Sequence, residues 1–238
     1  MPPSSSDATP AGAVPPMDRH APTKTVRAVF ALGCFWEPDA LFGALEGVVH
    51  TCVGYAGGST PSPTYEAIGD HLEAVRVTYA PDQIRYADLL DQFWAFHDPV
   101  RAPFKRQYQP ALLPATDAQA EQARASHDEA AAQHDRAIST KVIEASTFHR
   151  AEAYHQKYKL RRYPALVEAF EAMLPADAPL ADSPAAALAN GYVGGYRAPE
   201  HLDADRDRLG LPPDPLEVLR TQATRHDGWA GYIASEPD

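Results

Sequence analysis

An apolar run over residues 25–32 ends at Gly33, and a helical pattern begins a few residues later. The run is rich in Val, Ala and Phe, which is typical of a strand buried inside a sheet. Pro38 suits the first position of a helix whose apolar residues recur at helical spacing as far as Gly47. We therefore expect Cys34 to lie where a buried strand turns into a helix.

Strand-like and helix-like segments continue to alternate along the chain. Strands are predicted at 48–55 and 72–79, and another at 139–146. Helices are predicted at 86–94, 115–137, 151–160, 164–174 and after Pro199, with Gly191, Gly194 and Gly195 in the links between the last of them. This order favours an α+β fold, a two-layer α/β sandwich with a mixed, ferredoxin-like sheet and a long C-terminal segment that wraps the domain.

The chain is expected to contain one catalytic domain, because 238 residues can form a full core but not two equal ones. Residues 1–23 are dominated by Pro, Ser, Ala and Thr, which predicts a disordered tail. Residues 24–160 are assigned to the catalytic domain. Residues 161–238 are assigned to a helical extension that packs on the same domain.

Charge and cysteine content exclude several classes of partner. The 21 Lys and Arg against 32 Asp and Glu give a net charge of -11, which repels nucleic acids and anionic membranes. No signal-peptide pattern opens the sequence and no apolar stretch approaches the ~18 residues of a membrane helix. The two cysteines, Cys34 and Cys52, form no disulfide framework. We expect a soluble, cytoplasmic monomer.

Cys34 has the surroundings of a nucleophile. The first turn of a helix offers unpaired N–H groups and a positive dipole end, both of which favour a thiolate. Gly33 removes side-chain bulk beside it, and Phe35 and Trp36 supply two aromatic surfaces, enough for a small pocket that suits a methyl group. The alternative is that Cys34 is a small buried hydrophobe among core aromatics.

Several short motifs follow one another between residues 26 and 160. They are Gly33-Cys34-Phe35-Trp36, Gly54-Tyr55-Ala56-Gly57-Gly58, Pro63-Thr64-Tyr65, His71 with Glu73, Phe93-Trp94, His97-Asp98-Pro99, Arg106-Gln107-Tyr108, and Glu152 followed by Tyr154-His155-Gln156-Lys157-Tyr158. In this order they resemble the A-type peptide methionine sulfoxide reductases. The later Asn190-Gly191-Tyr192-Val193-Gly194-Gly195-Tyr196 is similar to a tail segment of some members.

The resemblance implies a reaction and roles for individual residues. The cysteine matching Cys34 attacks the sulfoxide sulfur, methionine is released, and the cysteine sulfenic acid that remains is reduced by thiols. Residues matching Phe35 and Trp36 hold the substrate's methyl group, and those matching Tyr65, Glu73 and Tyr108 hold or protonate the sulfoxide oxygen. The implied activity is reduction of methionine S-sulfoxide, free or in proteins. No cofactor is bound, and the electrons come from thioredoxin or from glutaredoxin with glutathione.

Glu73 also attracts attention on physical grounds. Strand alternation places it on the same face as Val75 and Val77, where burial should raise the pKa of its carboxyl. A neutral carboxyl can protonate the sulfoxide oxygen, so Glu73 is the candidate general acid, the alternative being a Glu at a solvated strand edge. Tyr65 and Tyr108 can donate hydrogen bonds to the same oxygen.

Three features depart from the family pattern. Glu37 stands where the family has glycine, at the rim of the expected pocket. The loop over residues 100–106 is compact and basic, so Arg101, Lys105 or Arg106 could shape the pocket entrance. No cysteine follows Cys52, which could resolve the sulfenic acid only within disulfide distance of Cys34. The resemblance is therefore to a compact-loop branch without C-terminal recycling cysteines, and we expect direct reduction by an external thiol.

Two other functions remain open at this point. A protein that binds methionine sulfoxide without reducing it would keep the aromatic pocket and need no recycling cysteine. His149, Glu152 and His155 have helical spacing that could suit a metal, although a packing cluster is the simpler interpretation. The Gly-x-Gly-x-x-Gly pattern of nucleotide cofactors does not follow any predicted strand.

Overall fold

The computed structural model describes residues 14–144 and 146–225. Within these residues a mixed sheet contains β1 (Val26–Ala31), β2 (Val48–Ala56), β3 (Leu72–Tyr79), β4 (Ala111–Leu113), β5 (Lys141–Val142) and β6 (His149–Arg150). Their order across the sheet is β5-β4-β1-β3-β2-β6. Neighbours are antiparallel except β4 and β5, which are parallel.

The helices of the described residues are α1 (Pro16–Arg19), α2 (Trp36–Gly43), α3 (Tyr86–Ala95), α4 (Asp117–Ala132), α5 (Tyr158–Arg161), α6 (Pro164–Met173), α7 (Pro184–Gly194), α8 (Leu202–Leu209) and α9 (Pro213–Arg225). Short 3-10 helices lie at Arg106–Tyr108, Ala153–His155, Leu180–Asp182 and Pro199–His201. The predicted α+β class with a mixed sheet is confirmed. None of the helices described is long and apolar enough to cross a membrane.

The two faces of the sheet have different coverings. Val75 and Val77 of β3 belong to an apolar cluster with residues of α2, α3 and α4. Leu72 and Ala74 point to the other face, where Ile143 and Phe148 cover them. This alternation is the one predicted for residues 72–79, because successive strand side chains point to opposite faces.

The C-terminal helices pack around α7, which lies against α2 at very close range. A Cβ atom added to Gly191 would lie 2.8 Å from Cβ of Ala44, and one added to Gly43 would lie 2.7 Å from the carbonyl oxygen of Ala187. Glycine permits this approach because it has no side chain. The prediction that Gly191 and Gly194 belong to a link is therefore wrong: both lie in α7.

The continuous helix predicted for residues 151–160 is also wrong. A 3-10 turn is followed by Lys157 in the left-handed region, with φ 54°, and only then by α5. The cause is long-range pairing, since the Gln156 side chain accepts from Val53 N–H at 3.0 Å and donates to Val53 C=O at 2.9 Å. The predicted strand at 139–146 is reduced to the two residues of β5.

The expected tail over residues 1–23 lies partly outside the described residues, which begin at residue 14. The part that is described is not a tail, because α1 packs on the C-terminal helices through Met17. The Asp18 carboxylate accepts a hydrogen bond from Ala185 N–H at the beginning of α7, at 3.0 Å. That contact satisfies a donor that a helix start leaves unpaired.

Candidate active site

Cys34 lies between the end of β1 and the beginning of α2, as predicted. Gly33 before it has φ +80°, a conformation that glycine adopts readily and other residues rarely do. A Cβ atom at this position would meet nothing within 4 Å. Gly33 is therefore needed to turn the backbone toward α2, and its role in removing side-chain bulk beside Cys34 stays a prediction.

The electrostatic surroundings of Cys34 oppose ionisation. Burial raises the pKa of the thiol, and the nearby carboxylates of Glu73 and Glu37 raise it further. A backbone hydrogen bond from Trp36 and the positive charge of Lys159 lower the pKa but do not outweigh the burial. The lowering expected from the helix start is thus present, but burial outweighs it and the pKa of the Cys34 thiol lies above its ordinary value.

Glu73 is almost fully buried, with 1% of its surface exposed. One carboxyl oxygen accepts a hydrogen bond from Phe35 N–H at 3.1 Å, and the other accepts from the Gln107 amide at 2.9 Å. Burial raises the pKa of Glu73 although both hydrogen bonds act to lower it. The direction of this shift is the one predicted from the strand pattern, and the bond to Phe35 holds the carboxyl beside Cys34.

Phe35 and Trp36 form a rigid aromatic wall. Phe35 is buried, and its ring centroid lies 5.0 Å from that of His155. The Trp36 ring stacks on Tyr158 at 3.6 Å with 6° between the planes. Its indole N–H donates to His155 Nδ1 at 3.2 Å, so one face and the polar atom of this residue are constrained.

Glu152 holds the loop that carries Tyr65. Its carboxylate accepts from Tyr65 N–H at 3.0 Å and from the Tyr55 hydroxyl at 2.7 Å. Burial alone would raise the pKa of Glu152, but these hydrogen bonds lower it overall. The Tyr65 ring lies 4.7 Å from that of His155, on the same side of the site as Trp36. Burial lowers the pKa of His155 itself, which makes it a neutral hydrogen-bond acceptor for Trp36.

Tyr108 ends the 3-10 helix at Arg106–Tyr108 and lies close enough to Cys34 and Glu73 to interact with their charges. Burial raises the pKa of Tyr108, and the nearby charges of Glu73, Cys34 and Tyr65 raise it further. The structure therefore brings together the six residues selected from the sequence, which are Cys34, Phe35, Trp36, Tyr65, Glu73 and Tyr108. Gln107, Glu152 and His155 had no assigned role at this site, although each lies in one of the quoted motifs.

Cys52 is not brought to this site. It is a free, fully buried thiol in β2, opposite Arg76 in the register with β3. Glu73 is opposite Tyr55 in the same pair of strands. Tyr55 and Glu73 are paired and therefore point to the same face of the sheet. Successive side chains of a strand alternate between faces, and Cys52 lies three residues before Tyr55, so Cys52 points to the opposite face.

Glu37 occupies the rim but is not a free charge. One of its oxygens lies 2.8 Å from Lys159 Nζ, and the other accepts from the Tyr196 hydroxyl at 2.6 Å. Tyr196 belongs to the tail motif, whose contact with the rim could not be read from the sequence. Position 37, where the resemblance leads one to expect glycine, thus carries a residue tied to the C-terminal region.

The metal hypothesis loses its geometric basis. His149 lies in β6, whereas His155 lies in a 3-10 helix, so the triplet with Glu152 shares no helix face. Across residues 14–144 and 146–225 there is no group of three or more His, Cys, Asp or Glu side chains placed to hold a metal ion.

The site combines a cysteine, a buried carboxyl and two adjacent aromatic residues on the mixed sheet of an α+β fold. This combination is typical of a cysteine-dependent oxidoreductase. The sequence profile of a family described as peptide methionine sulfoxide reductase matches residues 26–176. A Drosophila melanogaster peptide methionine sulfoxide reductase is 35% identical over 207 residues, which are 86% of this chain and 83% of that protein. The enzyme MsrA of Salinispora tropica is 42% identical over 156 residues, 60% of this chain and 71% of its own.

A solved structure from the same family is also similar to this chain. Methionine sulfoxide reductase A of Corynebacterium diphtheriae superimposes with a TM-score of 0.53 and 32% identity, covering 60% of this chain and 77% of that one. The chain belongs to the peptide methionine sulfoxide reductase family. It is an oxidoreductase that reduces methionine sulfoxide to methionine.

Proposed function

We propose that Cys34 attacks the sulfur of methionine S-sulfoxide while Glu73 protonates the sulfoxide oxygen. The observation that carries this proposal is the buried Glu73 carboxyl bonded to the N–H of Phe35, the residue after the cysteine. In the net step the substrate sulfur gains two electrons and is released as a thioether. Cys34 loses two electrons and becomes a sulfenic acid that carries the oxygen, and the proton of its thiol restores the acid form of Glu73.

Burial keeps a proton on Glu73 by raising the pKa of its carboxyl. Its raised pKa favours the neutral carboxyl, and protonation also removes one of the negative charges that raise the pKa of Cys34. Phe35 N–H and the Gln107 amide can donate to the carboxyl in either state, since each oxygen has two acceptor positions. The acid hydrogen of Glu73 is left for the substrate oxygen.

The aromatic residues orient the substrate. Phe35 and Trp36 hold the methyl group in a dry pocket, which suits a substituent without polar atoms. The hydroxyls of Tyr65 and Tyr108 donate to the sulfoxide oxygen as negative charge develops on it. The aromatic rings fix the position of the methyl group, and the tyrosine hydroxyls fix the position of the oxygen. Only one of the two sulfoxide epimers can then present its sulfur to Cys34, and we expect it to be the S form.

Recovery of Cys34 uses an external thiol in the cytoplasm. Two equivalents of thiol reduce the sulfenic acid to the free thiol, with formation of one disulfide and one water. Cys52 faces the other side of the sheet, which supports direct reduction by thioredoxin or by glutaredoxin with glutathione. A non-catalytic role in binding methionine sulfoxide has no observation in its favour.

The test of the chemistry uses the S- and R-sulfoxides of N-acetylmethionine amide with dithiothreitol. Wild type should reduce the S form, and Cys34→Ser should abolish the reaction. Glu73→Gln should lower kcat/KM by ~10²–10⁴, the usual contribution of a general acid. Activity of the wild type should fall as pH rises through the raised pKa of Glu73, because the acid is lost, and the Gln variant should lack that limb.

Glu66→Gln is the matched control, since Glu66 is an exposed carboxylate in the loop of Tyr65. It should retain wild-type kcat/KM at each pH. Equal activity of Glu73→Gln and wild type at every pH would remove Glu73 from the mechanism.

The recycling step is tested by mass spectrometry after one turnover without reductant. Dimedone should label Cys34 as a sulfenic acid, and Cys52→Ala should give the same adduct and the same steady-state rate with dithiothreitol. A Cys34–Cys52 disulfide as the main product would contradict direct reduction.

A further inference from the structure

The large hydrophobic residues exposed on the described surface are Tyr65, Phe104 and Tyr154, with 42%, 82% and 54% of their areas accessible. All three border the active site. The Tyr154 ring lies 4.1 Å from that of His155, and the Phe104 ring lies 5.0 Å from that of Tyr108. Exposed apolar residues confined to one region mark a binding surface.

A cleft continues from the active site toward Phe104. It has a volume of about 460 Å³, begins at Gly33 and Tyr108, and is bounded by Leu32, Phe96 and Pro103. Gly33 precedes Cys34 in the chain and Tyr108 lies close enough to Cys34 to interact with its charge, so the cleft begins beside the cysteine. A volume of this size falls in the range of ~300–1,000 Å³ that accommodates ligands larger than one side chain.

The charge around this cleft is opposite to that of the whole chain. Arg101 lines it, and Lys105 lies next to Phe104 on the same exposed loop. Arg106 follows and donates to the Asp70 carbonyl at 3.1 Å. Asp98 is the carboxylate among the lining residues, and it accepts from Val100 N–H at 3.0 Å. A basic loop on a chain of net charge -11 favours a ligand that carries local negative charge.

We propose that the cleft between Gly33 and Phe104 binds the residues next to methionine sulfoxide in an oxidised polypeptide. An apolar side chain packs on Phe104, and an acidic side chain lies near Arg101 and Lys105. The inference rests on the proposed function, because the sulfoxide must sit at Cys34 for its neighbours to reach the cleft. The subsite gives the enzyme a preference for acidic, apolar sequence around the oxidised methionine.

The test compares three substrates under dithiothreitol. They are the S-sulfoxide of N-acetylmethionine amide and two blocked pentapeptides with the S-sulfoxide at the centre, Glu-Leu-Met(O)-Leu-Glu and Lys-Leu-Met(O)-Leu-Lys. The subsite predicts a kcat/KM about fivefold higher for the Glu peptide, the size of effect that exposed ion pairs produce. The net charge of the chain alone predicts the reverse order, so a preference for the Lys peptide would overturn the proposal.

Phe104→Ala should reduce the ratio of kcat/KM for the Glu peptide to that for the amide by about fivefold, since part of an aromatic contact is lost. Arg101→Glu with Lys105→Glu should reverse the order of the two peptides. Lys24→Glu is the charge control, because Lys24 is exposed and lies before β1, at the end of the strand opposite Cys34.

Each remaining outcome has a defined meaning. An unchanged ratio in Phe104→Ala, or an equal loss on amide and peptide, would overturn the subsite. A loss that appears only when thioredoxin replaces dithiothreitol would assign the cleft to the reductant and also overturn it. Reduction of the amide by wild type keeps the proposed function separate from these results.

Discussion

Lys157→Met should cost about 3–5 kcal/mol of unfolding free energy, the range for breaking a buried ion pair from one side. Lys157 is fully buried and its ammonium makes three contacts, with an Asp39 carboxylate oxygen at 2.8 Å, the Thr51 carbonyl at 2.6 Å and the Thr51 hydroxyl at 2.9 Å. Asp39 is also fully buried, within α2. Methionine fills a similar volume but leaves the Asp39 charge without its cation.

Lys159→Met is the matched control two residues away. Its ammonium pairs with Glu37 at 2.8 Å, but the two side chains are 21% and 45% exposed. Exposed pairs contribute about 0–1 kcal/mol, so this variant should lose at most that amount.

The assay is urea unfolding monitored by tryptophan fluorescence. With a denaturant dependence of about 2 kcal/mol per molar urea, the midpoint of Lys157→Met should fall by roughly 2 M, and that of Lys159→Met by less than about 0.5 M. Equal midpoints for the two variants would refute the reasoning, because the Lys157 pair is buried and also bonded to Thr51, whereas the Lys159 pair is partly exposed. The left-handed backbone at position 157 affects Lys and Met alike and cancels in the comparison with wild type.

Two further predictions concern the backbone before Cys34 and the response to acid. Gly33→Ala should lower the unfolding free energy by ~1–2 kcal/mol through strain at φ +80°, since its Cβ meets no atom within 4 Å; urea unfolding measures the loss, and a value near zero would show that the turn relaxes freely. Burial, followed by the charge of Lys157, lowers the pKa of His50 from 6.5 to about 4. The unfolded chain therefore binds the proton first, and the stability due to neutral His50 is lost as pH falls from 6.5 toward 4. Wild type should lose about 3 kcal/mol relative to His50→Gln between pH 7 and pH 4, and parallel stability curves would contradict this.

Local pattern was sufficient for several elements and for one functional residue. The bounds of β3 at Leu72–Tyr79 match the predicted strand, and the alternation within it set the face of Glu73 correctly. These features depend on neighbouring residues in the chain, because the period of a strand is a property of the backbone. The same holds for the order of strand, Gly33, Cys34 and helix.

Elements whose partners are distant in sequence were predicted wrongly. Residues 151–160 have a helical pattern, yet Gln156 pairs with Val53 and Lys157 with Asp39, more than a hundred residues away. The sequence places Gly191 in a link, whereas in the structure it lies in α7, where the close approach to α2 leaves no room for a side chain. Tertiary contacts override helix propensity in such places, since each contributes more free energy than the propensity of a single residue.

Local pattern alone predicts that a cysteine follows a buried strand and that a carboxyl shares an apolar strand face, and the order of the motifs indicates the family. Only the fold determines that burial raises the pKa of the Cys34 thiol, that Gln107 and Phe35 hold Glu73, and that Glu37 is bound by Lys159 and Tyr196. The physical reason is that periodicity is local, whereas burial and electrostatic fields depend on groups that the fold brings together from distant positions.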